Sequence, residues 1–134
     1  MDKRESIISI LEEKGFKPSV DNDGDVHIRY QMKHIFFLIG DNEEPYVIAM
    51  FPQFLSVTEG DEGLVLAACN KITRIARVGK VYITENYRDV TATYEFWYTD
   101  EESLKMNIDR SLGFMSITRS ALTNIIREMR DTKE

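Results

Sequence analysis

His27 and His34 are the only histidines in the chain, and with Asp25 close to the first they are the side chains best suited to a metal site or an acid–base pair. No third or fourth ligand accompanies them. His27 also falls on the polar side of an alternating segment beside Arg29, which is the setting of a solvated imidazole. Cys69 is the single cysteine, so an intramolecular disulfide and a cysteine-based zinc cluster are both excluded. It lies in the apolar run Ala67-Ala68-Cys69, where a thiol packs as a small hydrophobe and lacks the electropositive surroundings of a nucleophile. Glu12 with Glu13, and Glu101 with Glu102, are neighbours on helices and splay apart instead of converging on one substrate. Asp21-Asn22-Asp23-Gly24-Asp25 has the composition of a calcium loop. Setting Gly24 at the glycine position of an EF-hand puts Ser19 first and Tyr30 last, and neither can act as the ligand needed there, so the segment reads as a tight turn. There is no glycine-rich phosphate loop, nucleophile elbow or helically spaced histidine pair. The expectation is a non-enzymatic protein with no catalytic residue, cofactor or metal.

Hydrophobic surface is what rises above this background. Ile35-Phe36-Phe37-Leu38-Ile39 is apolar at every position, more than a strand with one buried face requires. Tyr82 and Trp97 are expected on the sheet face away from the helices. Phe36, Phe37, Leu38, Tyr82 and Trp97 are therefore the candidate contacts for a protein or peptide partner, although alternation forbids Phe36 and Phe37 from facing the same one. Met106, Met115 and Met129 read as core fillers.

The elements that would position these residues follow from periodicity. Asp2 with Glu5 forms a capping pattern ahead of Ile7, Ile8 and Leu11, and Gly15 stops this first helix. Residues 16–20 read as a short strand, held to an edge by Pro18. Val26, Ile28 and Tyr30 alternate with His27, Arg29 and Gln31, giving a half-buried strand. Strands over 35–39 and 46–51 follow, the second bounded by Pro52. Thr58 or Asp61 caps a second helix with Leu64, Ala68, Ile72 and Ile75 as its apolar stripe, and Gly79 closes it. Lys71, Arg74 and Arg77 crowd its end, where positive charge suits the helix dipole; with the histidines they could alternatively line a polar cavity for a small ligand. Residues 81–84 and 90–98 form a hairpin with Val90, Ala92, Tyr94, Phe96 and Tyr98 towards the core. Thr99 with Glu102 opens a terminal helical region, and its length predicts a bend or protrusion, with Gly113 as the place for a break.

The fold class is α+β: an antiparallel sheet of five or six strands with helices packed on it, in the order α-β-β-β(-β)-α-β-β-α, forming a single domain over 1–134. Of 134 residues, 43% are hydrophobic and 30% charged, enough for a real core. The formal charge of -6 is the wrong sign for a nucleic-acid binder; residues 1–67 carry net -7 and residues 68–134 net +1. No stretch approaches the roughly 20 apolar residues of a membrane span, and nothing directs export, so the expected setting is cytoplasmic.

Gly15-Phe16 after the first helix, the hairpin from Val26 to Ile39, the Leu64 to Ile75 helix, the Tyr94-Glu95-Phe96 strand and the terminal helix together resemble the YbjN-like family of sensory transduction regulators. Its domain is in turn similar to the class I type III secretion chaperones. The resemblance implies a curved antiparallel sheet backed by helices, frequent homodimerisation and, in the chaperone relatives, binding of extended protein segments. It carries no catalytic residues. A chaperone-like or regulatory interaction domain is the resulting expectation, with a structural subunit of a larger assembly as a further alternative.

Overall fold

A computed structural model describes residues 1–133. Helix α1 (Lys3–Glu13) is followed by strands β1 (Ser19–Val20), β2 (Val26–Tyr30), β3 (Lys33–Leu38) and β4 (Tyr46–Ser56). Helix α2 (Glu62–Ile75), strands β5 (Gly79–Ile83) and β6 (Asp89–Trp97), and helix α3 (Glu101–Lys133) complete the chain. The six strands make one antiparallel sheet in the order β1-β2-β3-β4-β6-β5. The expected α+β class and element order are those observed, with four strands before α2.

Alternation builds the core. One cross-strand row runs Val26, Phe37, Ala49, Tyr94, Gly79, and Val47 pairs with Phe96 beside it. All of these residues are buried. Against them α1 packs over β2, α3 over β4 and β6, and α2 against β5 and α3. Small residues at Ala49 and Gly79 leave room for large neighbours. The Phe114 ring of α3 sits directly over Gly79, where an added Cβ would lie 2.3 Å from Cζ. Gly79 therefore opens β5 as a packing position and does not close α2, which ends at Ile75 with Ala76 as its cap.

The α2 stripe is also rotated from the one expected. Val65, Ala68, Cys69 and Ile72 are buried, whereas Ile75 is 72% exposed. Its N-cap Asp61 makes no capping bond; the carboxylate pairs with Arg130 of α3 at 2.5 Å. On α1 the Asp2 carboxylate accepts the Glu5 amide at 2.8 Å, as the sequence implies. For α3 the capping box is shifted one residue: Asp100 accepts the Ser103 amide at 2.8 Å while Ser103 Oγ accepts the amides of Asp100 and Thr99. These bonds hold the Asp100 carboxyl below its usual range.

Helix α3 is continuous through Gly113, contrary to the expected break. At 1.5 Å per residue, its 33 residues span about 50 Å. Leu104, Ile108, Leu112, Met115, Leu122 and Ile126 recur on the buried side, so packing along the whole length outweighs the roughly 1 kcal/mol cost of one interior glycine. Strand β4 likewise passes Pro52, where sequence places its end. Its register against β6 shifts between Phe51 and Leu55, and Gln53 adopts φ of 50°. This irregularity absorbs the missing proline amide, and the Gln53 amide is satisfied by Thr91 Oγ1 at 3.1 Å. The first short strand is confined to Ser19–Val20.

Two glycine substitutions should separate packing from propensity. Gly79→Ala should lower unfolding free energy by about 1–3 kcal/mol through overlap with Phe114. Gly113→Ala, where no atom approaches within 4 Å, should raise it by about 0.5–1 kcal/mol. Urea titrations of both variants check the pair.

Candidate protein-interaction face

The helices occupy one side of the sheet, which leaves the other side bare. Along it a row runs His27, Phe36, Met50, Thr93, Lys80; a second runs Leu38, Ile48, Glu95; Tyr46 opposes Trp97, and Tyr82 opposes Thr91. Phe36, Leu38, Ile48 and Met50 are half-buried by one another with no second layer above them. Trp97 is 63% exposed, leaning on Tyr46 with ring centroids 4.8 Å apart. Of the five residues singled out in the sequence, Phe36, Leu38, Tyr82 and Trp97 share this face. Phe37 does not: it points the opposite way and is 0% exposed in the core.

Beside the apolar centre lies a shallow concavity of about 360 Å³ lined by Ile48, Met50, Lys80, Tyr82, Thr93 and Glu95. Lys80 and Glu95 pair across its rim at 2.7 Å. The Glu95 carboxylate raises the Lys80 ammonium, whereas burial, reinforced by Glu95, raises the Tyr46 phenol. Thr93 Oγ1 is buried and has no hydrogen-bond partner. Ile48, Met50, Tyr46, Thr93 and the Lys80–Glu95 pair escaped sequence reasoning because only the β3–β4, β4–β6 and β5–β6 pairings place them on one face with Phe36.

Both sheet edges are blunted. Strand β1 has two residues. On β5, Thr73 of α2 donates its hydroxyl to the Val81 carbonyl at 3.0 Å and accepts the Val81 amide at 2.9 Å. These bonds occupy the outward backbone groups that an added strand would need. Both edges thus offer little purchase for strand addition.

At one end of the face His27 Nε2 and His34 Nδ1 are hydrogen-bonded at 2.8 Å, and His27 also contacts Phe36 at 4.9 Å between ring centroids. The sequence made a solvated imidazole the default for His27; diagonal placement on β2 and β3 instead joins it to His34. Burial lowers the His27 pKa, with His34 and Arg29 adding to the effect and Asp21 opposing it. The acidic turn is built into the fold. Asp21 accepts the amides of Asp23 and Asp25, Asp25 accepts those of Ile39 and Gly40, and Arg4 of α1 donates to the carbonyls of Gly24 and Gly40. Although oxygens of Asp21, Asp23 and Asp25 come within 4.8 Å of one another, these bonds give the Asp21 and Asp25 carboxylates a turn-forming role. Lys3 similarly ties α1 to the carbonyls of Glu44 and Tyr46, each at 2.9 Å.

The remaining candidates do not converge. Burial pushes the Cys69 thiol up to about 11, which suppresses the reactive thiolate. Glu13 pairs with Lys105 at 3.3 Å and Lys14 pairs with Asp109, linking α1 to α3. Lys71, Arg74 and Arg77 are exposed and do not join the histidines in a cavity. Met115 is 0% exposed in the core, while Met106 is 46% exposed. No helix among the described residues is long and apolar enough to cross a membrane.

Fold and surface together define an α+β protein with a helix-backed antiparallel sheet and one uncovered, partly apolar face. Residues 3–121 match the YbjN family, described as "Putative bacterial sensory transduction regulator", and the chain belongs to that family. A crystal structure of YbjN from E. coli, titled a "putative transcription regulator", superposes with a TM-score of 0.61 at 11% identity, covering 96% of this chain and 92% of that one. At that identity the similarity establishes the fold alone. No curated protein matches the sequence.

Two measurements follow. Because the folded-state pKa of His27 is depressed, the unfolded chain takes up this proton first, so stability falls as pH drops below the ordinary histidine value of about 6.5. NMR titration should place the His27 midpoint below that value, and His34→Gln should move it upward by removing the charge beside it. Separately, Thr73→Val should cost about 1–3 kcal/mol by leaving Val81 unsatisfied, read as a lower urea midpoint with unchanged slope.

Proposed function

We propose that this YbjN-family protein is a non-enzymatic regulatory domain that binds an extended protein segment on its bare sheet face. The observation that carries the reading is the uncovered apolar patch of Phe36, Leu38, Ile48 and Met50. An extended segment can bury its side chains on this apolar strip. Trp97 and Tyr82 at the rim are residue types that carry large shares of binding energy when desolvated. The Lys80–Glu95 pair offers one charge of each sign, which suits a polypeptide better than a uniformly charged polymer. The net charge of -6 agrees with a protein partner. Family membership supports the regulatory part of the reading, because the family is described by its role in signalling. A second copy of the chain is the competing occupant, and homodimerisation through this face would bury the same residues.

The test is site-specific photocrosslinking in the native cell from positions 82 and 97, with position 74 on α2 as a control. Adducts to one polypeptide from both face positions, absent from the control, are expected. Trp97→Ser combined with Tyr82→Ser should weaken binding of that purified polypeptide at least about tenfold, equivalent to about 1.4 kcal/mol, without loss of folded structure by circular dichroism. Adducts confined to position 74, or undiminished binding by the double variant, would contradict the proposal. Adducts only to the chain itself, with a dimer in light scattering that the double variant dissociates, would assign the face to self-association.

A further inference from the structure

On the helix side of the sheet, and independent of the bare face, a groove of about 390 Å³ runs between the β2–β3 turn and the middle of α3. The turn contributes Gln31 and Lys33, and α3 contributes Arg119, Ser120, Asn124 and Arg127 at successive helical turns. Lys33 has the strand parity of buried Ile35 and Phe37, so it points towards α3 and not towards the bare face. Its ammonium donates to the neutral Gln31 Oε1 at 3.3 Å. The four ion pairs among the described residues use Lys14, Lys80, Lys105 and Arg130, none of which lines this groove. Three cations thus converge where no carboxylate lines the wall, in a chain whose acidic groups outnumber its basic ones 23 to 17.

The turn that delivers Lys33 is itself costly. Gln31 and Met32 adopt φ of 51° and 66°, a conformation in which Asn and Gly are favoured. We infer that this groove binds a small phosphoryl-bearing anion with two or more negative charges, from a nucleoside diphosphate or from inorganic pyrophosphate. Guanidinium forks match phosphoryl oxygens in paired hydrogen bonds, and two of them with an ammonium balance a multiply charged group. The surroundings select a small ligand over a long polyanion. Beyond Arg127 the next concavity holds Arg130 already paired with Asp61, together with the Asp131 carboxylate, so it offers a continuing phosphate chain no further unpaired cation. In the other direction Lys33 and Arg119 are shared with a recess of about 210 Å³ walled by Phe51, Pro52 and Phe54 together with His34 and Gln53, a mixed lining that suits a planar ring with polar edges.

The experiment is an NMR titration of the labelled full chain at physiological salt with sodium pyrophosphate, ADP and adenosine, against sodium chloride at matched ionic strength. Saturable shifts at Lys33, Arg119, Asn124 and Arg127 with Kd below about 1 mM are expected for pyrophosphate or ADP, and none for adenosine. Arg119→Gln and Arg127→Gln, both at exposed positions that leave the core untouched, should each weaken binding about tenfold, whereas Arg74→Gln on α2 should not. Tighter binding of ADP would name the nucleotide as the source; equal binding would name the inorganic anion. Shifts that match sodium chloride, fail to saturate, or persist unchanged in both arginine variants would overturn the assignment.

Discussion

The pairing of β4 with β6 at the centre of the sheet is the constraint from which the core and the bare face both derive. It runs in register from Tyr46 opposite Trp97 to Phe51 opposite Ala92. This register sends Val47, Ala49, Tyr94 and Phe96 to the helices and Ile48, Met50, Thr93 and Glu95 to the other side. A slip of one residue would invert every one of these positions, so burial of the first set fixes the composition of the second. The irregularity at Pro52 and Gln53 ends the strict pairing only after the core positions have been set.

Three helices cannot cover both faces of six strands. An antiparallel sheet in a two-layer domain usually presents polar residues to solvent on its free side. Here that side carries Phe36, Leu38, Ile48, Met50 and Trp97 instead. Unrestricted association is limited at the edges, where Thr73 occupies the outward groups of Val81 and β1 is too short to template a strand. The Lys80–Glu95 pair and the His27–His34 pair interrupt the apolar strip at either end. A surface that is apolar at its centre, charged at its margins and closed at its edges restricts open-ended association between copies of the sheet.

Local chemistry made much of this legible in the sequence. Alternation over Val26–Tyr30 and Val90–Tyr98 assigned the core side of β2 and β6, and the Asp2 cap located α1. The errors arose where tertiary packing overrode local preference. Gly113 suggested a break, yet the buried stripe from Leu104 to Ile126 holds α3 together across it. Gly79 suggested a helix stop because glycine commonly fills that role; its lack of a side chain is needed for the Phe114 ring. Alternation already separated Phe36 from Phe37, but only strand order shows that Phe37 belongs to the core and that Met50 and Thr93 neighbour Phe36. Such long-range pairings have no signature in either strand alone.

Strand β3 serves the bare face and the cationic groove through the same period of two. Lys33, Ile35 and Phe37 point to the helices, while His34, Phe36 and Leu38 point away from them. The two surfaces therefore take opposite sides of one strand and meet at His34, which belongs to the bare face and also lines the recess beside Phe51 and Phe54. They also differ in the physics of recognition. Desolvation of apolar area governs the bare face and is little affected by salt, whereas the exposed cations along α3 act through Coulomb forces that salt screens within about 8 Å at physiological ionic strength. Alternation, the property that creates the core, thus also gives one hairpin two chemically distinct surfaces.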